Sequence, residues 1–404
     1  MKREVLGIPR EEYKQRQEKC RKAAVDLGFN ALMVWSRGGG TVERYADVLY
    51  LANHYSQYPY TPNLFPYYSA RGHSAVIIPV DSEPLLLVDI PYYRRDLVMV
   101  DDVRNDANLL QLAVNVLKEK GLAQAKVGLV GTDMFPLQFF KFFQSELPKL
   151  EFVEVDDILT NMRIIKSEAE KRIIRKAAEI GNRAMVKAME AVLEGNTEAD
   201  VAVACGSEIM AQGAVIWDLC MSSGPYSDRY IYQRFPPWDN ERQLKKGDLF
   251  HIDIYGAFEG YQFDFARSTV VGGEVTKAQG ELLEGVLGAV EKVVDSVKPG
   301  VVFEDLGTIG YEHLYEKGLI ASRDFFKTTS VSGCLSFGHG LGLSVGKPQL
   351  MIGNKMKVEK GMHLAVEKLA GKEGVGAVQF EENLLVNEYG IEVLTKAVKT
   401  KWWK

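Results

Sequence analysis

The stretch GDLFHIDIYGAFEGYQFDFARSTVV, residues 247–271, decides the reading of this chain. Apolar residues alternate with other types on both sides of Ala257-Phe258-Glu259-Gly260, the pattern of a β-hairpin. A turn centred on Phe258 and Glu259 puts Asp253 and Asp264 directly opposite each other on neighbouring strands. Directly opposed residues share a face with Cβ atoms about 5 Å apart. Two like charges that close repel each other, so a hairpin tolerates them where a cation neutralises both.

The arrangement recurs in GMHLAVEKLAGKEGVGAVQFEENLLV, residues 361–386, where a turn near Gly374 sets Glu367 opposite Glu381. Between the two hairpins, SFGHGLGLSVGKP (336–348) offers His339 among small residues that permit close approach to a crowded centre. Taken singly, an Asp on a hairpin reads as a solvated acid, Glu381-Glu382 as an exposed acidic step and His339 as a loop histidine. Together, Asp253, Asp264, Glu367 and Glu381 interrupt strongly apolar strands, where an unpaired carboxylate is costly. One imidazole with four carboxylates is too rich in oxygen for a structural zinc site. It suits two divalent ions, with Mn first and Fe, Co or Zn as alternatives.

This run of Asp, Asp, GHGLGL, Glu and QFE resembles the pita-bread metallohydrolases, the family of methionine aminopeptidase, aminopeptidase P, prolidase and creatinase. The resemblance covers nearly the whole chain. EEYKQRQEKCRKAAVDLGFNALMV (11–34) and YADVLYLANHY (45–55) look like the start of the creatinase and prolidase amino-terminal domain, and LTNMRIIKSEAEKRIIRKAAEIGNRAM (159–185) like the opening of the catalytic domain. It implies that Asp253, Asp264, His339, Glu367 and Glu381 are metal ligands, that Glu367 also moves the proton, and that the protein is a homodimer.

Several positions depart from that pattern. Where family peptidases carry a histidine before the first metal Asp, residues 230–248 read YIYQRFPPWDNERQLKKGD. Gly346 and Lys347 stand where a His-Glu pair is expected, Leu335 replaces a histidine of aminopeptidase P, and Gln379 replaces its arginine. Arg234, Lys347 and Tyr232, in company with Arg229, Tyr226 and Tyr230, suggest instead a pocket for a small anionic substrate, since guanidinium forks and ammonium charges recognise carboxylates. His251 and His363 lie on the same strand faces as Asp253 and Glu367 and are further candidates near the site.

A length of 404 residues exceeds one comfortable core, so two domains are expected: 1–157, α/β, and 158–404, an α+β domain of pita-bread type. Within the second, Ser167, Thr197 and Thr276 each start a helix, and the order helix, helix, acidic hairpin occurs twice, which suggests a pseudo-twofold. A net charge of −5 gives no footprint for nucleic acid. No apolar stretch is long enough to span a bilayer, and Cys20, Cys205, Cys220 and Cys334 show no paired spacing, so a cytoplasmic protein is expected.

The resulting expectation is a dinuclear metal-dependent hydrolase that cleaves a C–N bond in a small-molecule or dipeptide-sized, anionic substrate. An Xaa-Pro dipeptidase or aminopeptidase, a metal-dependent lyase on a small acid, and a non-catalytic pita-bread binding protein are the alternatives.

Overall fold

The computed structural model describes residues 7–40, 42, 44–59, 61–228, 236–322 and 336–404. The chain divides into two compact units, Met1–Arg163 and Ile164–Lys404. The first ends later than expected from sequence, because the helix containing Arg163 stays with it: Arg163 Nη1 lies 3.2 Å from Asp47 Oδ1, and the Met162 carbonyl accepts from the Tyr50 hydroxyl at 3.3 Å.

The first unit is a mixed sheet with helices α1 (Arg10–Asp26), α2 (Ala46–Ala52), α3 (Leu109–Glu119), α4 (Leu137–Glu146) and α5 (Asp157–Ile164). Its strands are β1 (Ala31–Arg37), β2 (His73–Pro79), β3 (Leu85–Val88), β4 (Asp102–Asn105), β5 (Lys126–Val130) and β6 (Glu151–Glu154), in the order β4-β3-β2-β1-β5-β6. Sequence position follows from burial. The apolar runs of β1, β2 and β3 are almost wholly buried and occupy the middle, while DVRN and EFVE, rich in charge, form the edges. The stretch from Tyr55 to Arg71 is irregular among its described residues, as its Gly, Tyr and Pro content suggests.

The second unit begins with α6 (Glu168–Glu190) and α7 (Glu198–Ala211), then a three-stranded sheet of β7 (Val215–Ser223), β8 (Leu249–Phe258) and β9 (Tyr261–Val270). Helices α8 (Lys277–Ser296) and α9 (Phe303–Glu316) precede a sheet of β10 (Gly338–Gly340), β11 (Gly346–Gln349), β12 (His363–Lys372), β13 (Gly376–Val386) and β14 (Ile391–Val393), ordered β11-β10-β12-β13-β14. The helix starts carry the expected capping boxes: Ser167 with Glu170, Thr197 with Asp200 and Thr276 with Gln279.

Both hairpins are two-faced. Phe250, Ile252, Ile254, Phe263 and Phe265 pack on Ala177, Ile180 and Ala184 of α6, and Leu364, Val366, Val378, Phe380 and Leu384 pack with Leu283, Val286, Val290 and Leu306 of α8 and α9. The alternate residues of each strand point away from the helices, and these include every acid singled out in the sequence. The architecture is the expected one, an α/β amino-terminal domain followed by a pita-bread domain in which helix, helix, hairpin occurs twice. Among the described residues no helix is long and apolar enough to cross a membrane.

Candidate metal centre

The first hairpin corrects the expected register. Its loop is Glu259-Gly260, with φ of 51° and 83°, so both loop residues are left-handed as a two-residue type I′ turn demands, and Phe258 pairs with Tyr261. Tyr255, not Asp253, therefore faces Asp264, and Asp253 faces Ala266. The two acids are diagonal neighbours on one face rather than an opposed pair. In the second hairpin Glu367 does face Glu381, because the loop Glu373-Gly374-Val375 leaves Lys372 paired with Gly376.

His339 enters on β10, paired with Ala365, two residues from Glu367 on the same face of β12. The approach requires glycine before it. Gly338 has φ of 128°, and a Cβ there would lie 2.0 Å from the Ala365 carbonyl oxygen. The His339 Nδ1 is 3.2 Å from the Gly340 carbonyl. A carbonyl only accepts, so Nδ1 carries the hydrogen, and Nε2 is the ring nitrogen that faces the acids and is available to a metal ion.

The five side chains converge. Asp264, His339 and Glu381 offer ligand atoms within 4.8 Å of one another, and so do Asp253, Glu367 and Glu381. Glu381 belongs to both groups. His339 Nε2 lies 3.7 Å from Asp264 Oδ2 and 3.7 Å from Glu367 Oε1. Glu381 is 1% exposed, and neither of its carboxylate oxygens has a hydrogen-bond partner among the described residues. Burial, then Asp264, Asp253 and Glu367, push its carboxyl well above the ordinary value, with only Arg267 opposing. Glu367 is raised too, by burial, while Lys368 and a hydrogen bond from Gln379 pull it back. A buried carboxylate without partners beside three other acids is the donor set that divalent cations satisfy, so the residues present fit two ions.

Around the five stand positioning groups that sequence reading missed. Arg267, fully buried on the helix side, donates from Nη1 to the Glu381 carbonyl at 2.7 Å and from Nη2 to Glu382 at 2.9 Å. Asn383 accepts from the Asp264 backbone N–H at 3.2 Å and donates to the Asp264 carbonyl. Ser268 Oγ donates to the Gln379 carbonyl and accepts from its N–H, both at 2.8 Å. The two sheets have separate ladders, and these side chains join β9 to β13 where no ladder does. The available signal was a polar residue in an otherwise apolar strand: Arg267 and Ser268 interrupt FDFARSTVV as plainly as Asp264 does.

The substrate-side candidates fare differently. Arg234 and Tyr232, with Arg229, Tyr230, Cys334 and Leu335, lie outside the described residues. Lys347 is exposed on β11. His251 and His363 are buried, and burial, then Lys166 and His339, hold His363 well below the ordinary histidine range. Cys20, Cys205 and Cys220 are buried, and burial pushes the Cys20 and Cys205 thiols up to about 12.

Comparison with known proteins gives the same picture. Residues 172–388 match the model of metallopeptidase family M24, and residues 16–165 match the creatinase/prolidase N-terminal domain. The chain is 32% identical over 266 residues to the Xaa-Pro dipeptidase of Pyrococcus horikoshii, covering 65% of this chain and 71% of that protein. It is 30% identical over 274 residues to the Xaa-Pro dipeptidase of Pyrococcus furiosus, covering 67% and 73%. The solved prolidase of Pyrococcus horikoshii superposes with a TM-score of 0.76 at 23% identity, over 96% of this chain and 99% of that one, which establishes likeness of fold.

Proposed function

Because the chain belongs to metallopeptidase family M24 and is a metal-dependent hydrolase, we propose that it cleaves a C–N bond in a small, dipeptide-sized substrate bearing a carboxylate, with two divalent ions held by Asp253, Asp264, His339, Glu367 and Glu381. The observation that carries this reading is the pair of overlapping three-residue groups sharing Glu381. Mn is the first candidate, with Fe, Co or Zn behind it, since the donors are mostly carboxylate oxygen with one imidazole. When bound, such ions activate water and polarise the carbonyl or equivalent group under attack.

The chain's own residues supply the rest. Glu367, on the rim of the group with 19% of its side chain accessible, is the acid placed to take a proton from the attacking water and return it to the leaving nitrogen. Gln379 donates from Nε2 to Glu367 Oε2 at 3.3 Å and so fixes the carboxylate's orientation.

An Xaa-Pro dipeptide belongs to this substrate class, and the names of the Pyrococcus relatives favour it. Gly346 and Lys347, where the resemblance expects His and Glu, favour a smaller acid that does not need a peptide-positioning histidine. Loss of a positioned acid/base group commonly costs about 100-fold to 10,000-fold in rate. The test is a panel assay on metal-loaded protein: Xaa-Pro dipeptides against N-acyl and amidino derivatives of small acids, each beside its uncharged amide. Preference for acids over amides with Xaa-Pro efficiency well below about 10,000 per molar per second is expected. An Xaa-Pro efficiency at or above that level selects the dipeptidase reading, and equal turnover of acids and amides refutes the carboxylate requirement.

A further inference from the structure

Gln379 sits on β13 two residues before Glu381 and on the same face, 1% exposed. Its Nε2 lies 3.0 Å from Asp253 Oδ2 and 3.3 Å from Glu367 Oε2. These acceptors come from different hairpins, β8–β9 and β12–β13, so one amide ties together the two halves of the acidic group. Each carboxylate spends one oxygen on Gln379; the other Glu367 oxygen, Oε1, is the one that faces His339 at 3.7 Å.

The amide orientation is not free. Turning it over would set Oε1 against two carboxylate oxygens, so Nε2 must face them, and Oε1 is left buried without a hydrogen-bond partner among the described residues. An unsatisfied buried acceptor is costly, and a packing role alone would not select it. The backbone is held as firmly: Ser268 Oγ on β9 bonds both the N–H and the carbonyl of Gln379, so the side chain projects from a point pinned between the two sheets.

We infer that Gln379 is a positioning residue for the metal centre, holding Asp253 and Glu367 by donation from its amide so that both carboxylates are oriented before a cation arrives. The inference rests on the metal-site reading proposed above. Partners of this kind commonly change metal affinity by about 10-fold to 100-fold when lost.

Manganese binding to full-length protein, stripped with chelator and titrated by calorimetry, tests it together with the visible absorption spectrum of the cobalt(II)-loaded protein. Gln379→Met keeps the volume and removes the donor; Gln379→Asn keeps the amide but withdraws it by one methylene. Donation predicts that both variants bind at least one manganese about 10-fold to 100-fold more weakly and show an altered cobalt spectrum while remaining folded. If Gln379 only fills space, Met restores wild-type affinity and spectrum and Asn does not, and that result overturns the inference. Should Gln379→Met fail to fold, Gln379→Leu likewise removes the donor and adds no carboxylate; a wild-type affinity and spectrum in that variant would overturn the inference equally. Wild-type protein that takes up no manganese refutes the site reading itself, a result separate from any behaviour of the variants.

Discussion

Glu381→Gln should make the metal-free protein more stable and the metal-loaded protein less so. Glu381 is buried without hydrogen-bond partners among the described residues, next to three acids that raise its carboxyl well above the ordinary 4.5. In chelator-treated protein at pH 7 the ionised form is disfavoured, and protonation is the escape. Protonating a carboxyl of ordinary pKa at pH 7 costs about 3 kcal/mol, which caps the strain the residue can contribute. A neutral glutamine of the same shape removes that strain, so metal-free Glu381→Gln gains up to about 3 kcal/mol, or up to about 10 °C in the second unit's Tm. The sign with pH is fixed. A carboxyl raised by folding binds more protons folded than unfolded, so its contribution is present below about 4.5 and lost as pH rises toward the folded value. The gap between variant and wild type therefore shrinks below about 1 kcal/mol at pH 5. With metal the order reverses, because each ion present at 1,000 times its Kd adds about 4 kcal/mol to wild type and Glu381→Gln lacks a ligand common to both groups. Scanning calorimetry at pH 5 and 7, with chelator and with manganese, reads all four states. A metal-free variant less stable than wild type at pH 7, or one that manganese stabilises as strongly as wild type, would refute the reasoning.

Arg267→Met should cost about 3–5 kcal/mol, the usual effect of removing one partner from a buried ion pair, since it strips donors from Glu382 and from the carbonyl of Glu381; a calorimetric loss below about 1 kcal/mol would show those bonds to be incidental. In the first unit, burial lowers His54 to about 4, with Asp89 opposing, and His73 to about 3, with Arg37 adding to the effect. His73 Nδ1 accepts from Trp35 Nε1 at 2.8 Å, a bond its protonation breaks. Both histidines are neutral when folded, so their stabilisation is complete above about 6.5 and declines as pH falls toward 4 and 3, by about 2 kcal/mol each at pH 5. Urea unfolding followed by tryptophan fluorescence should show this decline, and His73→Asn should flatten it; a midpoint unchanged between pH 7 and pH 5 counts against it.

Legibility in the sequence tracked the strength of local signals. The capped helices and apolar strands announce themselves because period and cap agree, as at Ser167 and Glu170. Helix α2 escaped because ADVLYLA is buried on nearly every side and has no side-chain cap, leaving neither periodicity nor start signal. Strand β4 escaped because DVRN, an edge strand, alternates nothing apolar. The five converging side chains were legible because charge in an apolar strand is costly enough to need a reason. The substrate side was not, since a four-residue edge strand such as Gly346–Gln349 carries no apolar period, and an exposed cation there, Lys347, looks the same in sequence as one lining a pocket.

The misplaced register of the first hairpin shows what the strands constrain. Centring the loop one position early shifted the pairing partner by two residues and left Asp253 and Asp264 on one face. A slip of one residue in either strand would have turned an acid toward α6, among Phe263 and Phe265, where an unpaired carboxylate costs several kcal/mol. Loop length and acid spacing must therefore agree in parity. The two Asp flank a two-residue loop and are diagonal, while the two Glu flank a three-residue loop and are opposed. Both solutions deliver two acids to the same face by different routes, and the apolar residues between them enforce the parity against the helices. Burial of Phe250, Phe263, Val378 and Phe380 on one side thus determines, by alternation alone, that the acids appear on the other.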